Sequence, residues 1–214
     1  MTLTFKTVYH RIIVRQFPYG PTTTLSSMDA PVDAVADHFA NVLFLIGAPR
    51  EHSSLDTNRV VTFYVDSEPM KRNLSENEVQ VLYDAGGPLK EAFVQWAMSL
   101  VEFMRLMLFR LGMVSVDFAD LLTVIHFSSS KRFRFEKIPY DDHATVPYDK
   151  HTGAGYRTLY SCVAGPVDLS LAHYSDLQST LELHNPGCIM IKTAMTIAEY
   201  DPPMMMLLGE PINT

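Results

Sequence analysis

The sequence predicts an α+β fold: a mostly antiparallel sheet packed against a long central apolar helix and an N-terminal amphipathic helix. Three observations carry that expectation. Apolar residues recur at helical spacing over 31–46 and again over 88–112. The second half of the chain is a succession of short β-rich runs. Strand and helix patterns do not alternate throughout, which disfavours a doubly wound parallel sheet.

The elements follow in order. Residues 3–17 are rich in Thr, Val, Tyr, Ile and Phe and stop at Phe17-Pro18-Tyr19-Gly20-Pro21, as a long strand would. Asp29 and Pro31 open the first helix, in which Val32, Val35, Ala36, Phe39, Val42, Leu43 and Ile46 share a face before Gly47 and Pro49. Residues 59–65 read as a strand, and Ser75 with Glu78 as a capping box for a short helix reaching about Tyr83.

The central helix carries Glu91, Gln95, Ser99, Glu102, Arg105 and Arg110 along one stripe, with Pro88 at its start and Gly112 at its end. A bilayer is excluded by magnitude: each mid-bilayer charge costs about 2.5–3.5 kcal/mol, while a Leu, Ile, Phe or Val returns about 0.3–0.6. Most of this helix's circumference therefore needs protein cover, from its own sheet or from a second subunit.

Ser115 is placed to cap a helix running into Leu121–Phe127, with a strand after it. Residues 131–138 alternate as a strand, and 156–164 and 167–174 flank Gly165-Pro166 as a hairpin. Ser175 and Gln178 form a capping box for a short helix, and 188–199 a last strand ended by Asp201-Pro202-Pro203.

At 214 residues, without repeats or low-complexity runs, the chain is read as a single domain with a docked C-terminal tail over about 201–214. Two cysteines point to a reducing compartment, and the first twenty residues lack the pattern of a secretory signal. The net charge of −7, with both signs interspersed, opposes wholesale coating of nucleic acid.

Chemistry-bearing patterns are sparse. His151-Thr152-Gly153-Ala154-Gly155 has two glycines but leads into a strand, not a helix as a phosphate loop requires. Asp141, Asp142, His143 and His151 are the densest set of metal-ligand types, lying in what reads as a solvated loop. No metal, cofactor or catalytic residue is assigned. Cys162 and Cys188 fall in apolar strand-like runs that suit packing more than a reactive thiolate.

Two segments suggest contacts. Lys131, Arg132, Arg134 and Lys137 interleave with Phe133 and Phe135, which fits an edge strand, a protein interface or single-stranded nucleic acid. Met204, Met205, Met206, Leu207 and Leu208 form an apolar run near the end of the chain, where a docking surface is expected.

The function expected on these grounds is non-enzymatic assembly: a homo-oligomer or part of a larger assembly, cytoplasmic or virion-borne, of the matrix or capsid-associated kind. The interface would use Met204–Leu208, Phe133 and Phe135. The second reading is a hydrolase-like enzyme using loop 139–155 and Cys162, and the third is an RNA-binding module over 131–137.

Overall fold

The structure, a computed structural model, describes residues 9–18, 22–26, 39–52, 60–84, 89, 91–109, 112–140, 155–166, 169–198 and 202–212. In chain order the elements are β1 (Tyr9–Gln16), β2 (Thr22–Ser26), β3 (Phe39–Ile46), β4 (Val60–Asp66), β5 (Glu78–Leu82), α1 (Phe93–Phe109) and α2 (Phe118–Phe127). They continue as β6 (Arg132–Pro139), β7 (Tyr156–Gly165), α3 (Leu171–His184), β8 (Met190–Ile197) and β9 (Met204–Pro211).

All nine strands join one sheet in the order β2-β1-β3-β4-β5-β6-β9-β7-β8. Parallel pairings run from β1 through β3, β4 and β5 to β6, and recur between β7 and β8. Antiparallel pairing is confined to β1 with β2 and to β9 with its neighbours β6 and β7. The expected mostly antiparallel sheet is therefore wrong. The physical sign was in the strands: Val42–Ile46 and Val61–Asp66 are buried without alternation, as strands covered on both faces must be.

The same reasoning corrects the N-terminal amphipathic helix. Phe39, Val42, Leu43 and Ile46 satisfy a 3.6-residue period, but Val42–Ile46 is also an unbroken apolar run, and Phe39–Ile46 is strand β3. The proposed start at Asp29 and Pro31 lies outside the described residues.

The core is the sheet, and α1 lies across one face of it as a 17-residue flanking helix, not as the centre of the fold. Trp96 and Phe103 pack on Phe135, at ring-centroid distances of 5.9 and 5.5 Å, and Phe103 also meets Tyr160 at 6.0 Å. Of the polar stripe, Glu91 and Ser99 turn to Lys137 of the sheet, while Arg105 donates to Glu102 at 2.7 and 2.6 Å, an exposed pair worth little. On the other face, α3 lays Leu177 and Leu181 over Leu159, Val163, Met205 and Leu207.

Caps explain three more departures. Ser75 N donates to Glu78 Oε2 at 2.8 Å, half of the expected capping box, but the turn delivers the chain into β5 at Glu78 and no helix follows. The expected hairpin after Gly165-Pro166 is replaced by α3, whose N-cap is Ser170, with a capping box completed by His173. Likewise α2 starts from Asp117, paired reciprocally with Asp120, in place of Ser115.

Candidate functional site

Strands β1, β3, β4 and β5 end together: Gln16 is level with Ile46, Ile46 with Val65, and Asp66 with Leu82. In open parallel sheets this carboxyl edge is where ligands bind. Here it is built around a buried ion pair. Asp66, fully buried, receives Arg72 Nε at 2.8 Å and Nη2 at 2.7 Å, and Gln80 Nε2 at 2.7 Å. The guanidinium is itself 3 % exposed and lies 4.5 Å from the Tyr64 ring centroid.

Arg72 also donates to Ala48 O at 2.7 Å and Pro49 O at 3.2 Å, so it ties the loop after β3 to the end of β4. Gly47 permits the turn with φ +66°. Beside this strut lies a cavity of about 430 Å³ lined by Arg50, His52, Lys71, Arg72, Glu51, Tyr64, Asn73 and Glu78. Tyr64 Oη donates to Glu78 Oε1 at 3.1 Å, so one wall is already satisfied from within the chain. Sequence reading missed this site because Asp66, Arg72 and Gln80 belong to no motif; only the parallel register brings them together.

The residues that the sequence singled out lie elsewhere. Met204–Leu208 form most of β9, an interior strand, and each is 8 % exposed or less. Phe133 and Phe135, at 2 % and 1 %, lie beneath α1. These seven side chains fill the protomer's own core, and a partner could touch them only by opening the sheet.

Strand β6 is likewise interior, between β5 and β9, not an edge. Its cations are mostly engaged. Lys131 Nζ donates to Ile125 O at 2.6 Å, Lys137 Nζ to Glu91 at 2.6 Å and Ser99 at 2.9 Å, and Arg134 pairs with Asp84 and Glu136. Arg132 is exposed. No continuous basic surface of the kind nucleic acid needs is left on this strand.

Cys162 is sealed inside β7, and burial pushes its thiol up to about 12, which removes the nucleophile of the hydrolase reading. The loop residues Asp141, Asp142, His143 and His151 lie outside the described residues. Among the described residues no three His, Cys, Asp or Glu side chains gather to hold a metal ion.

A second surface forms where α1 turns into α2. Val114 makes a two-way bridge to Met195 of β8, with N–O distances of 3.3 and 2.9 Å, and a Cβ at Gly112 would collide with the Met195 carbonyl. Lys192 Nζ holds Asp120 at 2.7 Å across the same junction. Strand β8 comes last in the sheet order, and Met113, Ile189 and Ile197 beside it are 46, 49 and 43 % exposed.

No protein-family model matches the chain, and no curated protein sequence does. Solved structures do match in fold. A point mutant of FtsZ from M. jannaschii is 16 % identical with a TM-score of 0.54, over 80 % of this chain and 64 % of that one. An FtsZ dimer from the same organism, described as empty, is 15 % identical with a TM-score of 0.55, over 80 % and 62 %. CetZ1 from Haloferax volcanii, a GDP-bound monomer, is 11 % identical with a TM-score of 0.48, over 81 % and 65 %.

The chain thus shares the fold of FtsZ and spans less than two thirds of the length of those proteins. That fold agrees with the parallel register and overturns the expected virion component: FtsZ, not a matrix or capsid protein, is what this sheet is similar to.

Proposed function

We propose that this chain is a subunit that associates with further copies of itself. The observation that supports the reading is the nine-stranded sheet's likeness to FtsZ, one of whose matched structures is a dimer. The surface put forward is β8 with the α1–α2 junction, where Met113, Ile189 and Ile197 are each more than 40 % exposed. Exposed apolar side chains along one strand are a surface that a second chain can cover.

A reducing compartment suits this reading, because both thiols are free and Cys162 is sealed in the core. No described helix is long and apolar enough to cross a membrane. The test is size-exclusion chromatography with light scattering over a concentration series. A mass rising above the 24.2 kDa of one chain is expected, and 24.2 kDa at every concentration would contradict the proposal.

A further inference from the structure

We infer that the cavity beside the Arg72 strut is a binding site for a small hydroxylated oxyanion, a phosphate ester or a carboxylate, with Arg50, His52 and Lys71 as the recognising groups. This site belongs to the parallel half of the sheet and is separate from the β8 surface put forward for self-association. Three observations carry it.

Two loops bring donor-bearing side chains to one place. In the crossover from β4 to β5, Arg72 turns inward onto Asp66 and Leu74 packs against Leu43, Leu45 and Tyr64, while Lys71 and Asn73 stay exposed. On the loop after β3, Arg50 is exposed and His52 is half-buried, its ring set against Phe17 at a centroid distance of 5.0 Å. All four line the cavity of about 430 Å³, a size that suits a small organic ligand.

The acceptors around the cavity are engaged from within the chain. Asp66 accepts from Arg72 and Gln80, the Ala48 and Pro49 carbonyls accept from Arg72, and Glu78 accepts from Tyr64 Oη and Ser75 N. Arg72 therefore quenches the carboxylate and the two carbonyls that would repel an incoming anion. Among the described residues no ion pair involves Arg50, His52 or Lys71. The hydrogen-bonding capacity left over is that of donors, and it calls for an acceptor-rich ligand.

Charge sets the size of that ligand. Arg50, Lys71 and Arg72 are matched by Glu51, Glu78 and Asp66, so the cavity exerts no long-range pull on a polyanion. Recognition rests on short-range contacts, and an arginine fork beside a lysine ammonium suits the oxygens of one phosphate or carboxylate head. Glu51, an exposed carboxylate on the same loop, opposes a second negative head and can accept from a ligand hydroxyl.

The experiment is isothermal titration calorimetry of the intact chain with glycerol phosphate and, separately, with glycerate. Saturable binding of at least one is expected, and the tighter of the two identifies the head group. Arg50→Gln and Lys71→Gln should each weaken it by about tenfold, the loss of one charge-assisted hydrogen bond. Both positions are exposed, so the thermal unfolding midpoint should stay in place. Arg132→Gln, which removes an exposed cation on β6, should leave binding unchanged. No saturable binding of either compound would overturn the site, as would wild-type affinity in both Arg50→Gln and Lys71→Gln. Equal weakening by Arg132→Gln would mean non-specific attraction and would overturn it too.

Discussion

Asp66 and Glu210 are both carboxylates, at 0 % and 2 % exposure, yet the two halves of the sheet neutralise them by different means. In the parallel half Asp66 is met by a fully engaged arginine and a glutamine amide. In the antiparallel half Glu210 caps the turn between α2 and β6: it accepts from Ser129 N at 3.0 Å, Ser129 Oγ at 3.1 Å and Ser130 N at 2.6 Å, with Arg157 only peripheral at 3.9 Å. One site stores its stability in a counter-charge, the other in local dipoles. The first is expensive to break from one side, because removing the cation strands a buried anion. The second degrades by one hydrogen bond at a time.

The largest effect should come from Arg72→Ala, which leaves Asp66 buried beside its glutamine alone. A loss of about 3–5 kcal/mol in a urea titration is expected. Between the two regions lies β9, where Leu208→Ala opens a cavity under α1 without touching either carboxylate. It should cost about 3 kcal/mol. If Arg72→Ala proved milder than Leu208→Ala, the parallel half would not depend on its ion pair as described.

Glu210→Gln keeps the shape and removes the charge, and should cost about 1–2 kcal/mol at neutral pH. Burial by itself raises this carboxyl's pKa, but the hydrogen bonds from Ser130 and Ser129 outweigh it and hold the group below its ordinary 4.5. A folded-state pKa below the unfolded one means stabilisation that is complete above about 4.5 and is lost as pH falls through the lower, folded value. The wild-type advantage over Glu210→Gln should therefore shrink on acidification and vanish in strong acid, as read by paired denaturation curves.

The smallest effect on stability belongs to Ile197→Asp on β8, at a side chain 43 % exposed. Unfolding should move by no more than about 0.5 kcal/mol, as for other exposed positions. Association should weaken by about tenfold, equivalent to about 1.4 kcal/mol. Unchanged association would move the proposed contact away from β8.

How much of this was legible in the sequence depends on where the information lies. The position of α1 was readable, because Glu91, Gln95, Ser99, Glu102 and Arg105 mark a stripe that only a helix puts on one side. Strands β4, β6 and β7 were readable from their composition. Strand β3 was not, because an apolar run such as Phe39–Ile46 satisfies helical spacing while also being fit for burial between two layers. The apolar run at Met204–Leu208 was read as surface for want of a visible place in a core, and its place, between β6 and β7, is fixed only by long-range pairing.

The candidate site fared worse for the same reason. Asp66, Arg72 and Gln80 span a strand, a loop and the next strand, and nothing in their spacing distinguishes them from surface charges. The cations of β6 were legible as a cluster but not as spent ones, since Glu91, Asp84 and the Ile125 carbonyl reach them through the fold.

Sedimentation velocity of the intact chain over a concentration series tests the account most directly. A sedimentation coefficient that rises with concentration is the result it predicts. A single monomeric species at every concentration would contradict it.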